Sequence, residues 1–166
     1  PVVAYVGLGA NLGDAPGAVR GAVASLDGLA GIRVLTCSSL YRTAPQLATG
    51  PDFINAVVEI STNLSAPGLL SALHQIEAAA GRERPYPNAP RTLDLDLLLY
   101  GNARVSSARL TLPHPRMAAR AFVLVPLAEI APDQVSVAAL QGVKEQVISI
   151  FQAFSGISQR RMVAAC

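Results

Sequence analysis

Phe53-Ile54-Asn55-Ala56-Val57-Val58-Glu59-Ile60-Ser61 alternates with a period of two. In an extended chain Ile54, Ala56, Val58 and Ile60 share one face, while Phe53, Asn55, Val57 and Glu59 share the other. The helical period would scatter both sets, so the segment reads as a strand with one face on a core. Upstream, residues 32–41 form a second β-branched-rich run, joined to the first by a turn-rich loop over 42–51. Two strands thus follow one another with no helix between them.

The flanks extend the pattern. Residues 2–8 read as a strand that ends among Gly7, Gly9 and Gly13, whose expected use is a tight strand-to-helix turn. Asp14-Ala15-Pro16 supplies an N-cap with proline in the first turn. Val19, Val23, Leu26 and Leu29 follow at helical spacing, and Gly28 and Gly31 close that helix. On the other side, Ser65-Ala66-Pro67 opens a helix with the stripe Leu69, Leu73, Ile76 and Ala80, stopped by Gly81. A proline-rich loop (82–90) leads to a fourth strand over 92–100. The order strand-helix-strand-strand-helix-strand predicts an α+β, ferredoxin-like βαββαβ core, an antiparallel sheet with both helices on one face. Beyond it the pattern predicts a hairpin-like stretch (101–112), a helix over 116–130 and a last helix over 138–154. With no internal repeat and no linker, residues 1–166 read as one domain.

Arg91-Thr92-Leu93-Asp94-Leu95-Asp96-Leu97-Leu98-Leu99 carries the chemistry. On a strand, Asp94 and Asp96 project from the same face with Cα atoms about 6.5–7 Å apart. On a helix they would diverge by roughly 200° and could not share a ligand. Paired carboxylates repel unless a cation lies between them, and the interleaved leucines make the strand largely buried. Oxygen-preferring Mg²⁺ fits this donor set, and the spacing suits two ions about 3.5–4 Å apart.

Charge is unevenly spread. Residues 1–81 carry three arginines against five acids, net −2, whereas residues 82–120 carry seven arginines against three acids, net +4. The chain has a single lysine, Lys144. Arginine clustering without lysine favours bidentate contact with phosphate oxygens. No G-x-x-x-x-G-K-[ST] loop occurs, and Gly7 to Gly13 spell G-x-G-x-x-x-G rather than the dinucleotide fingerprint. Catalysis therefore falls to metal and arginine, as is general for phosphoryl transfer. In Pro113-His114-Pro115-Arg116-Met117, two prolines hold His114 in a loop suited to a phosphate contact or acid–base work. Arg116 and Arg120, at i and i+4, are expected to share a helix face.

The run from Pro1 to Leu12 is too short for a membrane span and lacks a basic flank, and two cysteines give no disulfide framework. A cytoplasmic protein with no membrane partner is expected. Aromatic residues are only 5% of the chain and no R-G-F-x-F-type run occurs, which argues against a single-stranded RNA-binding module and against a nucleic-acid partner.

Taken together, Tyr41-Arg42-Thr43-Ala44-Pro45, Pro51-Asp52-Phe53-Ile54-Asn55-Ala56, Pro90-Arg91-Thr92-Leu93-Asp94-Leu95-Asp96 and Pro113-His114-Pro115-Arg116-Met117 resemble the 6-hydroxymethyl-7,8-dihydropterin pyrophosphokinases of folate biosynthesis. Order and spacing match over about residues 2–133. The resemblance implies that ATP, as co-substrate, gives its β,γ-pyrophosphoryl group to the pterin hydroxymethyl oxygen and releases AMP. It implies two Mg²⁺ ions on Asp94 and Asp96, with Arg82, Arg91 and Arg120 joining them in catalysis. Thr43, Ala44, Pro45, Phe53, Asn55 and Phe122 would bind the pterin. His74, Glu77, Arg91, Leu97, Arg109, Thr111, His114, Arg116 and Arg120 would bind ATP. Asn88 and Ala89 stand where many members carry an aromatic and a glycine, with Tyr86 nearby as a substitute. Closing loops are expected at 44–50 and 82–90. The partners implied are small molecules, and the chain is expected to be a monomer. Transfer of the γ-phosphate alone is the alternative, which would yield ADP.

Overall fold

In a computed structural model, residues 1–45, 50–81 and 93–153 are described. The alternating segment is β4 (Phe53–Thr62), and it lies inside the sheet. β1 (Val2–Ala10) runs antiparallel along its whole length, from Val2 opposite Thr62 to Ala10 opposite Ile54. Its other edge takes β2 (Ile32–Cys37) and then β3 (Leu40–Thr43). β5 (Asp94–Tyr100) completes the core outside β1. Two helices, α1 (Ala15–Asp27) and α2 (Ala66–Gly81), bury their stripes on the face formed by Ile54, Ala56, Val58 and Ile60. This is the expected split βαβ core. The cap on α1 is as read: Asp14 accepts the Gly17 N–H at 3.0 Å.

The other sheet face is covered as well. Tyr5, Val57 and Leu98 pack beneath Val123 and Leu127 of α3 (Ala121–Ile130) and beneath Met117. Val57 and Leu127 are fully buried, and each such side chain contributes roughly 1.5–3 kcal/mol relative to exposure. A short hairpin, β6 (Val105–Ser106) with β7 (Thr111–Leu112), occupies the stretch read as hairpin-like.

Four expectations are corrected. The run 32–41 is two strands, interrupted at Ser38-Ser39. Ser38 engages Val57 twice, donating from its N–H to the Val57 carbonyl and accepting the Val57 N–H on Oγ, both at 2.9 Å. Ser39 turns its N–H and hydroxyl to Glu129 of α3, so side-chain bonding displaces the ladder locally.

The single helix over 116–130 is a 3₁₀ turn (Met117–Ala119) followed by α3, separated by Arg120 in an extended conformation (φ −124°, ψ 114°). Arg116 and Arg120 therefore share no helix face. The last helix is only α4 (Val137–Gly142), started by the Ser136 hydroxyl. Ile148–Gln152 is instead a strand, β8, antiparallel to β3 with Ile148 opposite Thr43. Its apolar residues suit either period, and the open edge of β3 decides for strand. Finally, Gly7 and Gly9 lie inside β1 rather than in a turn, and only Gly13 of the three has a positive φ (59°).

Candidate active site

The site occupies the α3 side of the sheet, over the part of β1 from which no side chain rises. Tyr5, Gly7 and Gly9 face that side in turn, and from Gly7 onward the strand is bare. Gly9 lies opposite Asp94 on β5 and opposite Asn55 on β4, while Gly7 lies opposite Asp96 and Val57. The two glycines thus form a floor, with carboxylates along one edge and an amide along the other. The cavity above them holds about 550 Å³ and is also lined by Asn11, Thr43, Ala44, Pro45, Phe53, His114, Arg116, Arg120, Phe122 and Val123.

Each wall has a local cause. Asp94 and Asp96 share a strand face, as expected, while Leu95 and Leu97 between and beyond them enter the α1–α2 core. The β5 register shifts between Tyr5 and Val6, whose partners are Leu99 and Leu97, so Leu98 is the extra residue of a bulge. The Leu98 carbonyl accepts the His114 backbone N–H at 3.0 Å, which ties the Pro113-His114-Pro115 loop to the acidic strand. Across the floor, Asn55 is buried and its Nδ2 donates to Thr43 Oγ1 at 2.8 Å. That bond leaves Oδ1 directed over Gly9.

His114 has its basicity lowered, first by burial, then by the Arg120 and Arg116 guanidiniums, against an opposing pull from Asp96. Its Nδ1 accepts the Arg116 N–H at 3.2 Å, so the neutral ring carries its proton on Nε2, ready to donate. The Arg120 guanidinium carbon stands 5.3 Å from the centroid of the Phe122 ring. One wall thus offers cation and aromatic face together.

The structure brings Asp94, Asp96, His114, Arg116, Arg120, Thr43, Ala44, Pro45, Phe53, Asn55 and Phe122 into one cavity. The other predicted residues stand elsewhere. Glu77 accepts the Leu95 N–H at 2.9 Å and fastens α2 to β5. Arg109 donates to Ser71 on α2 at 2.8 Å. His74 and Thr111 are exposed and the Leu97 side chain is buried. Arg82 and Arg91, the positions of Tyr86, Asn88 and Ala89, and most of both loops read as closing (46–49, 82–90) lie outside the described residues. Gly7, Gly9 and Asn11 were missed as lining residues. The G-x-G spacing was visible, but its pairing with Asp94 and Asn55 depends on register.

The donor set admits magnesium. Two hard carboxylates lie on one strand face at the cavity edge, and Mg²⁺ in phosphate sites takes one or two carboxylates with water and phosphate oxygens. Among the described residues no cluster of three or more His, Cys, Asp or Glu forms an all-protein cage.

Fold and site together define a small α+β protein whose cavity gathers two carboxylates, two arginines, a histidine, a buried amide and two aromatic rings. Residues 5–132 match the family model of 7,8-dihydro-6-hydroxymethylpterin-pyrophosphokinase (HPPK). The 2-amino-4-hydroxy-6-hydroxymethyldihydropteridine pyrophosphokinase of Synechocystis sp. is 52% identical over 132 residues, covering 80% of this chain and 68% of that protein. The protein of the same name from Bacillus subtilis is 38% identical over 158 residues, 95% of each chain. A solved HPPK-DHPS triple mutant of Plasmodium falciparum with STZ-DHP shares the fold at a TM-score of 0.66 and 13% identity, over 97% of this chain and 46% of that one. The chain belongs to the 7,8-dihydro-6-hydroxymethylpterin-pyrophosphokinase family. It is a pyrophosphokinase of folate biosynthesis.

Proposed function

We propose that the cavity joins Mg–ATP to 6-hydroxymethyl-7,8-dihydropterin, and that ATP gives up its β,γ-pyrophosphoryl group there as AMP leaves. The single observation that carries this is the row Asp94–Gly9–Asn55, which sets a carboxylate edge and a buried amide on opposite sides of a bare floor. The Asn55 carbonyl accepts from ring N–H groups of the pterin, held in place by its bond to Thr43. Phe53 and Phe122 flank the flat ring. Arg116 and Arg120 neutralise phosphate oxygens, and His114 Nε2 donates to one of them.

The pterin hydroxymethyl oxygen attacks the β-phosphorus. The bond from that phosphorus to the α,β-bridging oxygen breaks, and the hydroxyl proton passes to solvent or a neighbouring carboxylate. Two Mg²⁺ ions on Asp94 and Asp96 would supply charge neutralisation and alignment of the phosphates. Asp94, Asp96 and Arg120 therefore stand as catalytic positions, with Arg82 and Arg91 added by resemblance. The nucleotide-side roles of His74, Glu77, Leu97, Arg109 and Thr111 rest on that resemblance alone.

A nucleotide product assay tests the reaction. Incubation with Mg–ATP and the pterin alcohol is expected to yield AMP and a pterin diphosphate, and chelation of the metal to stop both. ADP as the product would overturn pyrophosphoryl transfer in favour of γ-phosphate transfer. A cytoplasmic monomer is the setting proposed. Among the described residues no helix is long and apolar enough to cross a membrane.

A further inference from the structure

Arg120 holds its place by an unusual route. It sits between a 3₁₀ turn and α3 with an extended backbone, its N–H donating to the Met117 carbonyl at 3.2 Å and its own carbonyl accepting the Leu124 N–H at 3.0 Å. The carbonyl of Ala119 and the N–H of Ala121, on either side, are the groups such a break leaves without helical partners. Both are met by one side chain. Gln146 accepts the Ala121 N–H on Oε1 at 2.9 Å and donates from Nε2 to the Ala119 carbonyl at 2.9 Å. Only this amide orientation satisfies both, because one partner must donate and the other accept.

Gln146 is itself anchored. Its N–H donates to the Val143 carbonyl at 3.0 Å, and two residues later Ile148 pairs with Thr43 on β3. Gln146 and the two residues after it thus link β8, the strand paired with β3, to the backbone that carries Arg120 and Phe122.

We propose that Gln146, which lies beyond the family-matched residues 5–132, is a positioning residue: its bidentate grip on Ala119 and Ala121 sets Arg120 for the transferred phosphates. The proposal rests on the phosphate role given to Arg120. Gln146 touches no reacting atom, and it acts by preventing Arg120 from adopting the helical backbone that its sequence neighbours favour.

The test is a double-mutant cycle read by single-turnover rates at saturating Mg–ATP and pterin. Gln146→Ala is expected to slow transfer by about 10- to 100-fold, the scale for misplacing a group by about 1 Å, with the KM for pterin little changed. Added to Arg120→Ala, it is expected to cost roughly two-fold or less, since the residue it positions is gone. Gln146→Glu keeps the acceptor for the Ala121 N–H and loses the donor to Ala119, so its rate should fall between Gln146→Ala and wild type with an unchanged melting temperature. Losses that multiply in the double variant, or a wild-type rate in Gln146→Ala beside an impaired Arg120→Ala, would overturn the positioning role alone. An unimpaired Arg120→Ala would instead remove the phosphate role of Arg120, and the proposal with it. Unfolding of both Gln146 variants would make the bridge structural and also overturn it.

Discussion

A Cβ added to Gly9 would stand 2.9 Å from Oδ1 of Asn55, inside any normal contact distance. The two residues face each other across the β1–β4 ladder, and Asn55 is held from its far side by Thr43. Gly9→Ala must therefore push the amide off its bond to the Thr43 hydroxyl. The expected result is a pterin KM raised about ten-fold, or about 1.4 kcal/mol, with ATP affinity retained. Steady-state kinetics with each substrate varied in turn checks it, and an unchanged pterin KM would show that the amide needs no such fixed position.

Asp96 is only half-buried and lines the cavity, so its removal should spare the fold. Asp96→Ala is expected to reduce AMP formation by about 10³-fold or more, in line with losing an electrostatic contact made chiefly in the transition state. The melting temperature should stay near wild type. Near-normal turnover would refute the metal assignment.

Glu129 accepts from three groups on β3 and the break before it: the Ser39 N–H at 2.8 Å, the Ser39 hydroxyl at 2.6 Å and the Tyr41 hydroxyl at 2.9 Å. Tyr41 is buried, so Glu129→Ala takes away the acceptor of its hydroxyl along with the two bonds to Ser39. About 1–3 kcal/mol of stability should be lost, because an orphaned buried donor costs its desolvation. Chemical denaturation measures this, and Glu129→Gln, which can still accept, should lose less. Equal losses for the two variants would assign the effect to packing.

His114 supplies a pH signature. Its basicity is lowered in the folded protein by burial and by Arg120 and Arg116. The native state therefore binds fewer protons than the unfolded chain, so the associated stability is present above about pH 6.5 and is lost as pH falls through the folded value. His114→Asn should lose less stability than wild type between pH 7 and about pH 5. Parallel pH profiles for the two proteins would show that His114 is not responsible.

Arg120 faces the cavity with its guanidinium against the Phe122 ring. Arg120→Ala should slow single-turnover transfer by about 10²-fold while pterin binding weakens by only a few-fold. Calorimetry beside rapid-quench kinetics separates the two, and an unchanged transfer rate would remove Arg120 from the chemistry.

The core was legible because periodicity reports burial locally. The period-two alternation of β4 and the helical stripes of α1 and α2 each recur within one element, and no distant contact is needed to see them. Asp94 and Asp96 were legible for the same reason, since a strand sets i and i+2 on one face whatever else the chain does. Where two periods fit equally, the sequence misled. Residues 148–152 pack as β8 because β3 offers an open edge, and that edge lies over a hundred residues away.

By itself, then, the sequence determined the βαββαβ order, the shared face of the acidic pair and the arginine bias of its surroundings. Tertiary structure alone decided what those features meet. Register placed Gly9 between Asp94 and Asn55, a bulge at Leu98 fastened the His114 loop, and Gln146 reached back to hold the chain around Arg120. These depend on hydrogen bonds between groups far apart in the chain, whose partners are fixed only once the sheet has closed. A pattern confined to one segment carries no record of them.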